Sequence, residues 1–169
     1  DVDADALERA RAESGGRLAI NADVTSEADT ARLVAQTIDE LGSIDALVAA
    51  AGLHQTTSVD AIETDEWDRV QTVNVRGTFI VARAVLREMI PRRQGAVVML
   101  GSIAGQVGGI QSGAGYATSK AALAASTCSR LAGPLGAGAA APSAAEPSSA
   151  PASVCCAACA ARCSAIARS

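Results

Sequence analysis

Apolar positions along the first 135 residues recur in two rhythms. Short runs, of the kind a strand buried on both faces shows, fall at 44–51, broken only by Asp45, and at 96–100, and an alternating stretch falls at 17–22. Elsewhere the apolar residues sit three and four apart, as along one side of a helix. Residues 4–13 are good helix formers stopped by Gly15 and Gly16. Ser26-Glu27-Ala28-Asp29 reads as a capping box, followed by Ala31, Val34, Ile38 and Leu41 on one helical face and closed by Gly42. Thr64 is placed to cap a long helix that carries Asp65 and Glu66 in its first turn and is stopped after Ile90 by Pro91. A last helix is predicted over 116–131. Strand and helix alternating at these lengths predict βαβ units, hence an α/β fold with a doubly wound parallel sheet and helices on both faces.

After Leu135 the rhythm stops. In residues 136–169 the only large aliphatics are Val154 and Ile166, and the only charges are Glu146, Arg162 and Arg168. So few large apolar groups cannot offset roughly 1–2 kcal/mol of backbone entropy per residue. The chain therefore divides into a folded part, 1–135, and a low-complexity tail, 136–169. The tail is expected to be either a disordered linker or an out-of-frame extension. Ala, Pro, Ser, Cys, Gly and Arg are what GC-rich DNA encodes in the wrong frame, and Lys120 is the only lysine among 14 basic residues. The 49% hydrophobic content overstates the core for the same reason, since aromatics make up only 2% and alanine supplies the difference.

Charge narrows the partners. With 18 acidic against 14 basic residues the net charge is -4, which argues against a nucleic-acid or anionic-membrane partner. No run of about 18 apolar residues and no secretory leader is present, so a cytoplasmic protein is expected, with Asp1 as a cut or processed end. Cys155, Cys156, Cys159 and Cys163 include one C-x-x-C, but nothing beside them completes a metal or redox site, and none is expected. Cys128 reads as packing, His54 as a solvated loop residue, and Trp67 and Phe79 as core or subunit-contact residues.

Function in such sheets gathers at the carboxyl ends of the strands, here Asp23-Val24, Ala51-Gly52 and Gly101-Ser102. Just downstream stand Tyr116 and Lys120, the only tyrosine and the only lysine. Four residues apart on one helix, they share a face. An ammonium beside a phenol favours the phenolate, and a poised phenol can pass a proton to or from a reacting oxygen.

Over residues 1–135 the chain resembles the short-chain dehydrogenase/reductase family. The family's Tyr-x-x-x-Lys pair matches Tyr116-Ala-Thr-Ser-Lys120. Its serine after a central strand matches Ser102 in Gly101-Ser102-Ile103-Ala104-Gly105, its helical asparagine matches Asn74, and its adenine-contacting aspartate matches Asp23. The resemblance implies an oxidoreductase that interconverts a small-molecule carbonyl and alcohol by hydride transfer. Tyr116 would be the general acid/base, Ser102 would hold the substrate oxygen, Lys120 would favour the phenolate and hold the nicotinamide ribose, and Asn74 would anchor a proton-relay water. Cofactor contacts would come from Asp1, Asp23, Val24, Ala49, Gly52, Tyr116 and Lys120. Asp1, where an acidic residue accepts from the adenosine ribose and repels a 2′-phosphate, favours NAD over NADP. The resemblance also implies a homodimer or tetramer formed through the two long helices.

Two departures bear on this. The family's Asn-Asn-Ala-Gly strand end reads Ala49-Ala50-Ala51-Gly52 here, and no glycine-rich phosphate loop follows a strand. Gly136-Ala-Gly138-Ala-Ala-Ala141 fits G-x-G-x-x-[GA] but follows a helix and Pro134, so its context is wrong. The chain is expected to start after the second strand of the family domain, to lack its last strands and to be a poor catalyst by itself. The alternative is a non-catalytic nucleotide-fold binding or regulatory protein, or a product of truncation and frameshift.

Overall fold

The computed structural model describes residues 1–109, 112–126 and 153–156. In chain order the elements are α1 (Ala4–Ser14), α2 (Glu27–Leu41), β1 (Ala46–Ala49), α3 (Thr64–Gln71), a π-helical segment (Thr72–Gly77), α4 (Thr78–Arg92), β2 (Ala96–Met99), α5 (Ala104–Val107), α6 (Ala114–Ser126) and β3 (Ser153–Cys156). The strands form a parallel sheet in the order β1-β2-β3, with Ala46 opposite Ala96 and Ala96 opposite Ser153. The fold class is α/β, as the alternation predicts. β3 falls in the stretch for which the sequence predicts no element. The rest of 136–169, with the end of the helix predicted to 131, lies outside the described residues.

Helix ends follow their local chemistry. Asp3 caps α1 by accepting from the Ala6 N–H (2.9 Å), and Ser26 caps α2 by accepting from the Asp29 N–H (3.2 Å). Asp29 does not return the bond of a full capping box, because its Oδ2 accepts from the Asp23 N–H instead (3.0 Å). Gly15 and Gly42 end these helices at φ 69 and 85, angles that glycine reaches without steric cost.

One face of the sheet carries the core. Val97 and Met99 of β2 meet Val34 of α2, Val85 and Met89 of α4, and Leu123 of α6. The opposite face is not covered in the same way among the described residues. Val48 of β1 is 61% exposed, and α1 buries none of its residues. The expectation of strands buried on both faces is corrected accordingly.

Four further expectations change. Residues 17–22 form no strand: the Ala22 N–H donates to the Asp1 carbonyl (3.0 Å) and no ladder follows, so the alternation lacks a partner to pair with. On α2 the predicted face holds at Val34 and Ile38, which pack on the core, whereas Thr30 is buried in place of Ala31 and Leu41 is exposed. Glu63 occupies the cap position before Thr64 and makes no capping bond. Pro91 lies inside α4, which ends one residue later, since in a last turn the missing N–H costs a single bond.

Candidate active site

Three elements converge beyond the carboxyl ends of β1 and β2. The loop after β1 carries Gly52 to Gln55, the π-helical segment carries Asn74, and α6 carries Tyr116, Ser119 and Lys120. Asn74 is fully buried and joins all three. Its Oδ1 accepts from the Leu53 N–H (2.7 Å), and its Nδ2 donates to the Leu53 carbonyl (3.0 Å) and to Ser119 Oγ (2.9 Å). Ser119 Oγ in turn donates to the Tyr116 carbonyl (2.7 Å). The widened π turn fits this use, since such bulges frequently accompany functional residues.

Lys120 is buried, at 8% exposure, and its Nζ donates to the Leu100 carbonyl at the end of β2 (2.8 Å). Nζ lies 5.6 Å from the centroid of the Tyr116 ring, within the range of a cation–π contact. Burial pushes the Lys120 ammonium below its ordinary pKa, because the charged form is the one that loses hydration. A Cβ on Gly52 would stand 3.2 Å from Asn74 Oδ1 and 3.9 Å from Lys120 Nζ, so the glycine leaves the approach to both groups open.

Ser102 follows β2 and leads into α5. Its Oγ accepts from the Ala104 N–H (3.2 Å), which leaves the hydroxyl proton to be donated elsewhere. Gly105 then lies flat against α6. A Cβ there would be 2.7 Å from the Ala121 nitrogen and 2.8 Å from the Lys120 carbonyl carbon. Gly105, three residues after Ser102, is what lets α5 and α6 touch.

A cavity of about 540 Å³ opens beside this cluster, and Asp1, Asp23, Val24 and Gly52 all line it. Asn21 ties the start of the chain to it by donating to the carbonyls of Asp1 (3.1 Å) and Val2 (3.0 Å). The Asp23 carboxylate accepts from the N–H and the hydroxyl of Thr25, both at 2.8 Å, which fixes its loop. Val24 packs against Gly77 at the end of the π turn. Ala49 is not brought in: its side chain packs against the core and its carbonyl accepts from the Leu100 N–H (3.3 Å).

Sequence reasoning passed over Ser119, Gln55 and the position of His54. Ser119 is the residue before Lys120, so its place inside the Tyr-x-x-x-Lys spacing was the available signal. The His54 ring stands edge-on to the Tyr116 ring, with centroids 4.7 Å apart. A second cavity of about 800 Å³, lined by Phe79, Leu86 and Leu123, lies along α4 and α6 and includes none of the residues named for chemistry. Among the described residues no cluster of His, Cys, Asp or Glu could hold a metal, and no helix is long and apolar enough to cross a membrane.

A parallel sheet, a tyrosine and lysine one turn apart on a helix, and a buried asparagine tying that helix to a strand end make a Rossmann-type scaffold. Residues 2–132 match the short chain dehydrogenase family, and the chain belongs to it. It is 41% identical over 128 residues to a protein of Xanthobacter autotrophicus named inactive 2-(S)-hydroxypropyl-CoM dehydrogenase 2, covering 75% of this chain and 55% of that one. A short-chain dehydrogenase/reductase of Hericium erinaceus is 33% identical over 132 residues, covering 76% and 52%. Among solved structures, NAD+-bound xylitol dehydrogenase superposes with a TM-score of 0.71 at 37% identity, covering 75% of this chain and 50% of that one. A short-chain type dehydrogenase/reductase from Mycobacterium marinum gives 0.69 at 31%, covering 75% and 52%. The chain spans about half the length of these relatives.

Proposed function

We propose that this chain carries the catalytic centre of an NAD(P)-dependent oxidoreductase that interconverts a small-molecule carbonyl and alcohol. The observation that carries the reading is the single tyrosine set above a buried lysine and locked to the strand end through Ser119 and Asn74. In reduction the Tyr116 hydroxyl gives its proton to the carbonyl oxygen, and in oxidation the phenolate takes it back. Ser102 donates its hydroxyl proton to the same oxygen and stabilises the charge that builds there. With one donor on Leu100, the Lys120 ammonium keeps two for the ribose hydroxyls of the cofactor and for the Tyr116 oxygen.

The residues present suit a dinucleotide at its two ends. The Asp1-lined cavity fits the adenosine, with the carboxylate disfavouring a 2′-phosphate and so favouring NAD over NADP. The open face of Gly52 fits the nicotinamide ribose. When bound, the nicotinamide supplies or accepts the hydride. A glycine-rich cradle for the diphosphate is not found among the described residues, and the chain alone is expected to turn over slowly. Association of two or more copies through α4 and α6 is part of the proposal, supported by the exposure of Phe79.

A second reading, a nucleotide-binding protein without catalysis, is favoured by Ala49-Ala50-Ala51 in place of the family's amides. The test is nicotinamide absorbance with a panel of ketones, for the native chain and for Tyr116→Phe. Removing only the hydroxyl should cut turnover by about 10²–10⁴-fold and leave the urea midpoint unchanged. Equal turnover in both would refute the role of Tyr116, and cofactor binding without turnover in either would favour the second reading.

A further inference from the structure

The loop after β1 is pinned on both sides of His54. Leu53 is held by Asn74 through both its N–H and its carbonyl. Gln55 is buried, at 3% exposure, and its Nε2 donates to the Thr57 carbonyl (2.7 Å). Its own carbonyl accepts from the Gly113 N–H (2.7 Å), and its Oε1 accepts from the Tyr116 N–H (3.4 Å). Gly113 makes room for this, since a Cβ there would stand 2.0 Å from Gln55 Oε1. The first N–H groups of a helix have no partner within it, and Gln55 answers one of them in α6 from 61 residues upstream. Between these anchors the His54 ring meets the Tyr116 ring with planes at 79°.

We propose that His54 and Gln55 form a positioning clamp for Tyr116. Gln55 fixes the first turn of α6 against the strand end, and His54 buttresses the phenol ring edge-on so that its hydroxyl faces the reacting oxygen. The clamp rests on the reading of Tyr116 as the proton donor and adds two residues that the Tyr, Lys, Ser and Asn set does not contain. A phenol on two free torsions must be held in place to act. An edge-to-face ring pair, if all of it serves orientation, is worth up to about tenfold in rate.

The chain has one His, one Tyr, one Trp and one Phe, so its aromatic proton spectrum is readily assigned. The nuclear Overhauser effect between the His54 and Tyr116 rings should be present in the native chain. It should vanish in Gln55→Ala, with the amide spectrum still that of a folded protein. In the turnover assay His54→Ala should lower kcat by up to about tenfold with KM little changed, and His54→Phe, which keeps a ring to pack edge-on, should restore it. An Overhauser effect that survives Gln55→Ala, or a His54→Phe protein as slow as His54→Ala, overturns the clamp. Should Gln55→Ala not fold, the exposed His54 pair of variants decides. Should the native chain show no turnover, the Tyr116 reading falls, and the Overhauser effect in the native chain and His54→Phe decides the clamp.

Discussion

Replacing Asn74 by alanine removes the joint between the strand end, the long helix and α6. Three hydrogen bonds go at once, two to the Leu53 backbone and one to Ser119. A neutral hydrogen bond contributes about 1 kcal/mol net, and a buried group left without a partner costs about 1–3 kcal/mol. With Asn74 fully buried, the loss should be about 3–4 kcal/mol. At a urea slope of about 1.5 kcal/mol per molar, the unfolding midpoint should fall by about 2 M. Trp67, the only tryptophan, is half-buried in α3 and reports the transition by fluorescence. Asn74→Leu separates the causes: it restores volume but leaves the same polar groups unpaired, so it should be about as unstable as Asn74→Ala. A loss below about 1 kcal/mol in Asn74→Ala, or recovery in Asn74→Leu, would refute the hydrogen-bond account.

Other substitutions probe separate links. The Thr30 hydroxyl is buried without a hydrogen-bond partner among the described residues, so Thr30→Val should raise stability by about 1 kcal/mol, read as a higher urea midpoint. Gly105→Ala drives a Cβ into the backbone of α6 and should cost about 1–3 kcal/mol, read by the same midpoint, while also lowering turnover through Lys120. Lys120→Met should stabilise the chain at neutral pH. The folded state holds its ammonium below the ordinary lysine pKa, so the burden is full below that lowered value and lifts as pH climbs toward 10.5. The advantage of Lys120→Met should therefore shrink in midpoints measured at rising pH, and a constant gap would contradict the burial account.

How legible this was depends on what each residue needs in order to show itself. The helices at 4–13 and after Ser26 carry their own caps and stops, so local chemistry sufficed. Tyr116 and Lys120 announce themselves because each is the sole residue of its type and their spacing is one helical turn. Residues 17–22 have a strand's alternation, but a strand exists only with a neighbour, and no local pattern reports whether one is there. Asn74 was visible as a motif member, whereas its bonds to Leu53 depend on a chain segment 21 residues away. Gln55 had no signal at all: a glutamine in a loop becomes a helix cap only when another element arrives beside it.

The π turn in the long helix has a consequence for phase. Val70, Asn74, Thr78, Val81, Val85 and Met89 are all buried, and from 70 to 89 the chain closes five turns in nineteen residues, where α geometry would use about eighteen. The surplus residue is absorbed at Thr72–Gly77. Without it, α4 would be rotated by about 100° relative to α3, and Met89 would swing off the sheet whenever Val70 faced inward. The helix works like two gears on one shaft, keyed to different partners, with Asn74 at the key. Substitutions at exposed positions of this segment leave the timing alone, whereas deletion of a single residue would mistime every contact downstream.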